Sequence, residues 1–143
     1  MSRVAIIGVG QTHHQRRRSD VNVPGLVREA VKRALQDANL TMDDIDSVVV
    51  ASGPVLFAAV NQPEKWVVDA VGARGKPVVR ITSGGGTGFA GALAGYYQVA
   101  GGSANSRPQN GSYRLEMEAC NAPSESLSYA TTSTRLANPP ATW

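Results

Sequence analysis

The sequence predicts an α/β fold, a layer of three mainly parallel buried strands with helices on both faces. Three observations carry that expectation. Short continuous apolar runs occur at Val4–Val9, Ser47–Ala51 and Pro77–Ile81, the pattern of strands covered on both faces. Longer segments with apolar residues at helical spacing separate them. Proline and glycine stand at the junctions, where they stop one element and admit the next.

The first strand, Val4-Ala5-Ile6-Ile7-Gly8-Val9, is ended by Gly10, and a polar loop runs from Gln11 to Asn22. A helix follows, with Pro24 in its first turn and Val27, Val31, Ala34, Leu35 and Ala38 along one face. Arg28, Glu29, Lys32, Arg33 and Gln36 occupy the other face. Asn39 suits the left-handed position just past the helix, with Leu40 folding back as the apolar residue beyond it. Thr41 then caps a short turn in which Asp43 and Asp44 suit the positive end of a helix. Ser47–Ala51 is the second strand, stopped by Gly53-Pro54. Pro63-Glu64 opens a second helix that presents Trp66, Val67, Ala70 and Val71 and is closed by Gly72 and Gly75. After the third strand, Gly84, Gly85, Gly86 and Gly88 lead into a third helix, Phe89 to about Ala100. Its small residues, among them Gly91, Ala92, Ala94 and Gly95, imply close packing on a neighbour. No internal repeat is present.

A chain of 143 residues suits one domain, and 42% apolar with 17% charged residues is ordinary for a globular protein. No apolar run is long enough to span a membrane and no signal-peptide pattern opens the chain, so a cytoplasmic setting without a membrane partner is expected. Cys120 is the single cysteine, which excludes an internal disulfide, and it has no metal-type neighbours at ligand spacing. The net charge of +3 comes largely from Arg16-Arg17-Arg18, which reads as a solvated loop. No aromatic or glycine-rich RNA-binding pattern accompanies it, so no nucleic-acid partner is expected.

Composition breaks near Gly101-Gly102. Residues 1–101 contain 17 Val and 4 Ile, whereas residues 102–143 contain neither and hold 7 Ser, 4 Thr, 4 Asn and 4 Pro. The expectation is one domain portion, 1–101, followed by an aberrant, poorly ordered tail, 102–143.

Three motifs bear on chemistry. Gly8-Val9-Gly10 lacks the third glycine of a dinucleotide fingerprint, since position 13 is His13, and it reads as a tight turn after the strand. His13-His14 lacks the neighbours that would complete a metal set, so no metal site is assigned. Ser83-Gly84-Gly85-Gly86-Thr87-Gly88, between a strand and a helix, is the candidate substrate-binding turn. Glycines let the backbone turn sharply and let a ligand reach the amides of a helix N-terminus, which hold a phosphate or stabilise an oxyanion.

Several stretches together resemble the thiolase superfamily. They are Val4 to Thr12, Arg28-Glu29-Ala30 through Leu40, Asp43 to Asp46 with Val48-Val49-Val50, Asn61 to Trp66, Asp69 to Gly72, and Gly75 to Arg80. The glycine turn is similar to a branch of thiolase-like proteins, described as acetyl-CoA acetyltransferases or lipid-transfer proteins, in which glycine replaces the nucleophilic cysteine. The resemblance covers residues 3 to about 101 and implies a partial thiolase-like layered fold, a homo-oligomer paired near Val78, Val79 and Ile81, and coenzyme A thioesters as substrates with no other cofactor.

In catalytic relatives, the turn carries a cysteine that the thioester acylates. Matching Arg80, Ile81 and Gly88 puts that position at Gly85, which has no side chain, so no catalytic residue is assigned. The resemblance places the partner histidine and second cysteine in a half beyond these residues, and Cys120 is not recruited in their stead. Cysteine-lacking relatives imply a second possibility, retro-aldol cleavage of acyl-CoA with an OB-fold, zinc-ribbon partner protein. A third is a small CoA-, phosphate- or partner-binding module. The family continues with an apolar strand where this chain has Ser103 to Pro108, a departure of the kind that a frame change or a truncated gene produces.

Overall fold

The computed structural model describes residues 3–13, 15, 18–53, 61–101, 113–121 and 127–137. The strands are β1 (Arg3–Gln11), β2 (Ser47–Ser52), β3 (Val78–Ile81), β4 (Tyr113–Asn121) and β5 (Leu127–Ala137). The helices are α1 (Val23–Asp37), α2 (Pro63–Val71) and α3 (Thr87–Ala100), with 3-10 turns at Met42–Asp44 and Gly84–Gly86. His14, Arg16, Arg17, Pro54 and Ser103 to Pro108 lie outside the described residues.

One sheet holds all five strands in the order β1-β5-β4-β2-β3. β2 is parallel to both β3 and β4, while β5 is antiparallel to β4 and to β1. The three strands expected from the sequence therefore run in one direction, with β1 separated from β2 by two others.

Every residue of β2 is buried, as its unbroken Val48-Val49-Val50 run requires. Val48 and Val50 join the core formed with Leu26, Val27, Ala30 and Val31 of α1 and Val67 and Val71 of α2. Alternation turns Val49 to the opposite face, where α3 crosses β2, β4 and β5. Helices thus cover both faces of the sheet. On α3, Thr87, Gly91, Gly95 and Val99 are buried at four-residue spacing, the close packing that its small residues imply.

The ends of α1 follow their local chemistry. Asn22 Oδ1 accepts from Gly25 N at 2.9 Å at the start, and Pro24 occupies the first turn. At the other end Asn39 takes φ +53°, with Leu40 N donating to Leu35 O at 2.9 Å and Asn39 N to Gln36 O at 3.1 Å. Asp44 Oδ2 accepts from Thr41 N at 2.9 Å, closing the next turn.

Four expectations are corrected. Neither β1 nor β3 is covered on both faces: both are edge strands, with Ile6 and Val9 of β1 66% and 60% exposed and no residue of β3 buried. Gly8 and Gly10 do not form a turn but lie within β1, under α1. A Cβ on Gly8 would sit 2.6 Å from Ala34 O and 2.7 Å from Ala38 Cβ, and one on Gly10 would overlap the backbone of Ala30 and Ala34. Glycine here lets a helix lie directly on a strand. Trp66 is 64% exposed, because the buried stripe of α2 runs Pro63, Val67, Val71. Finally, two strands come from residues 102–143, where the sequence suggested none. Tyr113, Leu115, Met117 and Ala119 alternate with Arg114, Glu116 and Glu118, and Leu127–Ala137 is rich in threonine. Threonine and tyrosine suit a pleated strand even where valine and isoleucine are absent.

Candidate functional site

The glycine turn is built at the carboxyl end of β3, where the chain leaves the sheet for α3. Ser83 precedes a 3-10 turn of Gly84, Gly85 and Gly86, and Gly84 takes φ +53°, a conformation open to glycine at little cost. Gly86 N donates to Ser83 O at 3.0 Å. Thr87 then latches the turn: its hydroxyl accepts from Ser83 N at 2.9 Å and donates to Gly84 O at 2.7 Å. Thr87 is buried, so both bonds are sheltered from water.

Thr82 Oγ1 donates to Ser52 O at 2.9 Å and ties the turn to the end of β2. Before the turn, Arg80 Nη1 stands 3.4 Å from Glu64 Oε2, an ion pair joining β3 to the first turn of α2. The six residues expected at the site, Ser83, Gly84, Gly85, Gly86, Thr87 and Gly88, are consecutive and form this turn and the first residues of α3. Ser83 through Gly86 are exposed, and a Cβ built on Gly84, Gly85 or Gly86 meets nothing within 4 Å. The amides of Gly84 and Gly85 make no hydrogen bond among the described residues. Among the described residues the turn therefore offers open space beside unpaired amides at a helix start, a shape suited to an anion or a polarised carbonyl. It offers no side chain at Gly85 to act as a nucleophile.

The other residues of chemical interest lie elsewhere. His13 is exposed beyond the end of β1, four strands away from β3. No group of three or more His, Cys, Asp or Glu able to hold a metal occurs among the described residues. No described helix is long and apolar enough to cross a membrane. Arg18 is engaged by Asp20 at 2.9 Å and Glu29 at 3.1 Å, and these hydrogen bonds, Asp20's first, hold its guanidinium above the ordinary value.

The placement of Cys120 was not legible in the sequence. β4 pairs with β2 so that Ala119 stands opposite Ser52, while Ala51 stands opposite Ile81 on the other side. Cys120 therefore lies at the same end of the sheet as the glycine turn, two strands from β3, about 10 Å at the usual strand spacing. Its position follows from the parallel pairing of β4, which only a strand reading of Tyr113–Asn121 would have supplied.

No family model matches the sequence, and no curated protein matches it. Solved structures do. The chain superposes on ChlB3, named as an acyltransferase, with a TM-score of 0.71 at 10% identity, covering 94% of this chain and 50% of that one. OleA of Xanthomonas campestris gives 0.70 at 12% identity, covering 95% and 57%. The Ltp2-ChsH2(DUF35) aldolase gives 0.62 at 28% identity, covering 85% of this chain and 28% of that one. The chain spans about half the length, or less, of these proteins. These superpositions show that the chain has the thiolase-like fold, over about half the length of the proteins that share it.

Proposed function

We propose that the chain is a thiolase-like unit related to acyl-CoA acyltransferases that has lost the acyl-transfer step. The observation that carries this reading is Gly85, which stands at the turn where the resemblance places a nucleophile and which has only backbone to offer. Thiolytic transfer needs a group that takes the acyl chain from the thioester sulfur and returns it to a second acceptor. Among the described residues no base hydrogen-bonds to the Ser83 hydroxyl, and the Thr87 hydroxyl is buried and doubly bonded within the turn. Neither is an activated nucleophile. Purified protein mixed with acetoacetyl-CoA and CoA is expected to leave the thioester enolate absorbance falling at the uncatalysed rate. Clear turnover would overturn the reading.

A second reading rests on the unpaired amides of Gly84 and Gly85: residues Ser83 to Gly88 bind the phosphate or thioester carbonyl of a CoA derivative without acylation. Isothermal titration with CoA tests it, since measurable heat that is lost in Gly84→Pro favours binding, and no heat removes it. The 28% identity to a structure named as an aldolase favours retro-aldol chemistry of an acyl-CoA as the origin of this branch. Its second component, ChsH2(DUF35), favours a partner protein, for which the OB-fold zinc-ribbon class is the candidate. We place the chain in the cytoplasm. We also propose a homodimer through the outer edge of β3, where Val79 is partly exposed. Residues 1–101 carry the site in this reading, and residues 102–143 are a compositionally separate addition joined to the sheet through β4 and β5.

A further inference from the structure

The sheet has two outer edges, β1 and β3, and they are finished differently. An edge strand presents a row of N–H and C=O groups that any other strand can pair with, and a long apolar one is the most exposed to this. β1 is such a strand: it runs nine residues and displays Ile6 and Val9. Yet two of its outward groups at the carboxyl half are already taken. Val9 N donates to Asp37 Oδ2 at 2.9 Å, and Gln11 O accepts from Arg33 Nη1 at 2.6 Å. Residues 9 and 11 share one parity along the strand, so both bonds are made on the edge that β5 does not use. Toward the amino half, a register shift between Ile6 and Gly8 breaks the regular row.

Both side chains come from the last turns of α1, four residues apart and so on one face of that helix. Arg33 is held in place by Glu29 Oε1 at 2.7 Å, and Glu29 Oε2 accepts from Arg18 at 3.1 Å. Arg18 is gripped in turn by both oxygens of Asp20 at 2.9 Å. The chain of contacts runs from the loop before α1 to the edge of β1. By contrast, no side chain bonds to the backbone of Val78–Ile81 among the described residues.

We infer that Asp37 and Arg33 close the outer edge of β1 to strand addition, so that a second copy can extend the sheet only at β3. Hydrogen exchange of the native chain tests this first. The Val9 amide is expected to be protected despite its edge position, and exchange there at the rate of a free peptide amide would overturn the inference without any variant. In Asp37→Ala, Val9 exchange is expected to rise about tenfold or more, as for loss of a charge-assisted bond. Asp37→Asn keeps an acceptor oxygen and is expected to retain most of the protection. The double variant Arg33→Ala/Asp37→Ala is expected to sediment as larger species than the native chain at equal micromolar concentration. Adding Val79→Lys should not reverse that shift, because the new contact is at β1. A double variant that sediments as the native chain does overturns the inference. Dissociation of the native chain by Val79→Lys alone reports on the proposed β3 dimer, so the two failures are distinguishable.

Discussion

Gly10→Ala examines the close seat of α1 on β1. The added methyl would overlap the backbone of Ala30 and Ala34, and its counterpart on Gly8 would stand 2.7 Å from Ala38 Cβ. Carbon atoms rest about 3.5–4.0 Å apart, so α1 has to withdraw by about 1 Å, and a gap of that size forfeits a quarter to a half of the dispersion energy across it. The face that lifts carries Leu26, Val27, Ala30, Val31 and Ala34, the larger part of one side of the core. Overpacking costs about 1–3 kcal/mol, and the upper end applies because the obstacle is helix backbone, not a flexible side chain. A loss of about 3 kcal/mol is a large share of the roughly 5–15 kcal/mol that stabilises a domain. At this chain length it lowers the melting temperature by about 10 °C. Circular dichroism melts of Gly10→Ala, native chain and Gly85→Ala measure it. Gly85→Ala meets open space and should melt within about 3 °C of the native chain. Equal melting of Gly10→Ala and the native chain, or an equal fall in Gly85→Ala, would refute the packing argument.

Thr87→Val removes the latch on the glycine turn, leaving Ser83 N and Gly84 O without their side-chain partner; urea titration should show a loss of about 1–3 kcal/mol. Asp20 is held below the usual carboxylate range, first by the hydrogen bond from Arg18 and then by a backbone hydrogen bond. A depressed folded value means that its stabilising effect is complete above the ordinary carboxylate range and is lost as pH falls through the lowered value. Asp20→Asn should therefore lower stability at neutral pH and converge on the native chain in acid, read from melts across pH. The pairing of β4 between β2 and β5 predicts that amides of residues 114–119 exchange as slowly as those of Val48–Ala51. Because β1 reaches the sheet only through β5, fast exchange in β5 should be matched by fast exchange in β1.

The parts of the fold legible in sequence are those decided locally. Asn39 and Leu40 announce the end of α1 because a left-handed residue followed by an apolar one has few other uses. The valine run of β2 announces burial on both faces, and the glycines and threonine from Gly84 to Thr87 announce a sharp turn onto a helix. What was not legible depends on neighbours distant in sequence. β1 reads as central by its own residues, and its edge position is set by β4 and β5 entering between it and β2. The glycines of β1 read as a turn because α1, which they seat, is a partner that no local rule names. β4 is not legible because the absence of valine and isoleucine outweighs the two-residue alternation from Tyr113 to Ala119. The end of the sheet to which Cys120 belongs depends on that same strand.

In the proposed function, this thiolase-like fold carries no group that accepts an acyl chain. Intact-protein mass spectrometry after incubation with an acyl-CoA thioester, followed by peptide mapping, tests it most directly. An unmodified mass is expected, with no acyl adduct on Ser83, Thr82, Thr87 or Cys120. A stoichiometric adduct on one of the turn hydroxyls, or on Cys120 two strands away at the same end of the sheet, released by CoA, would contradict it.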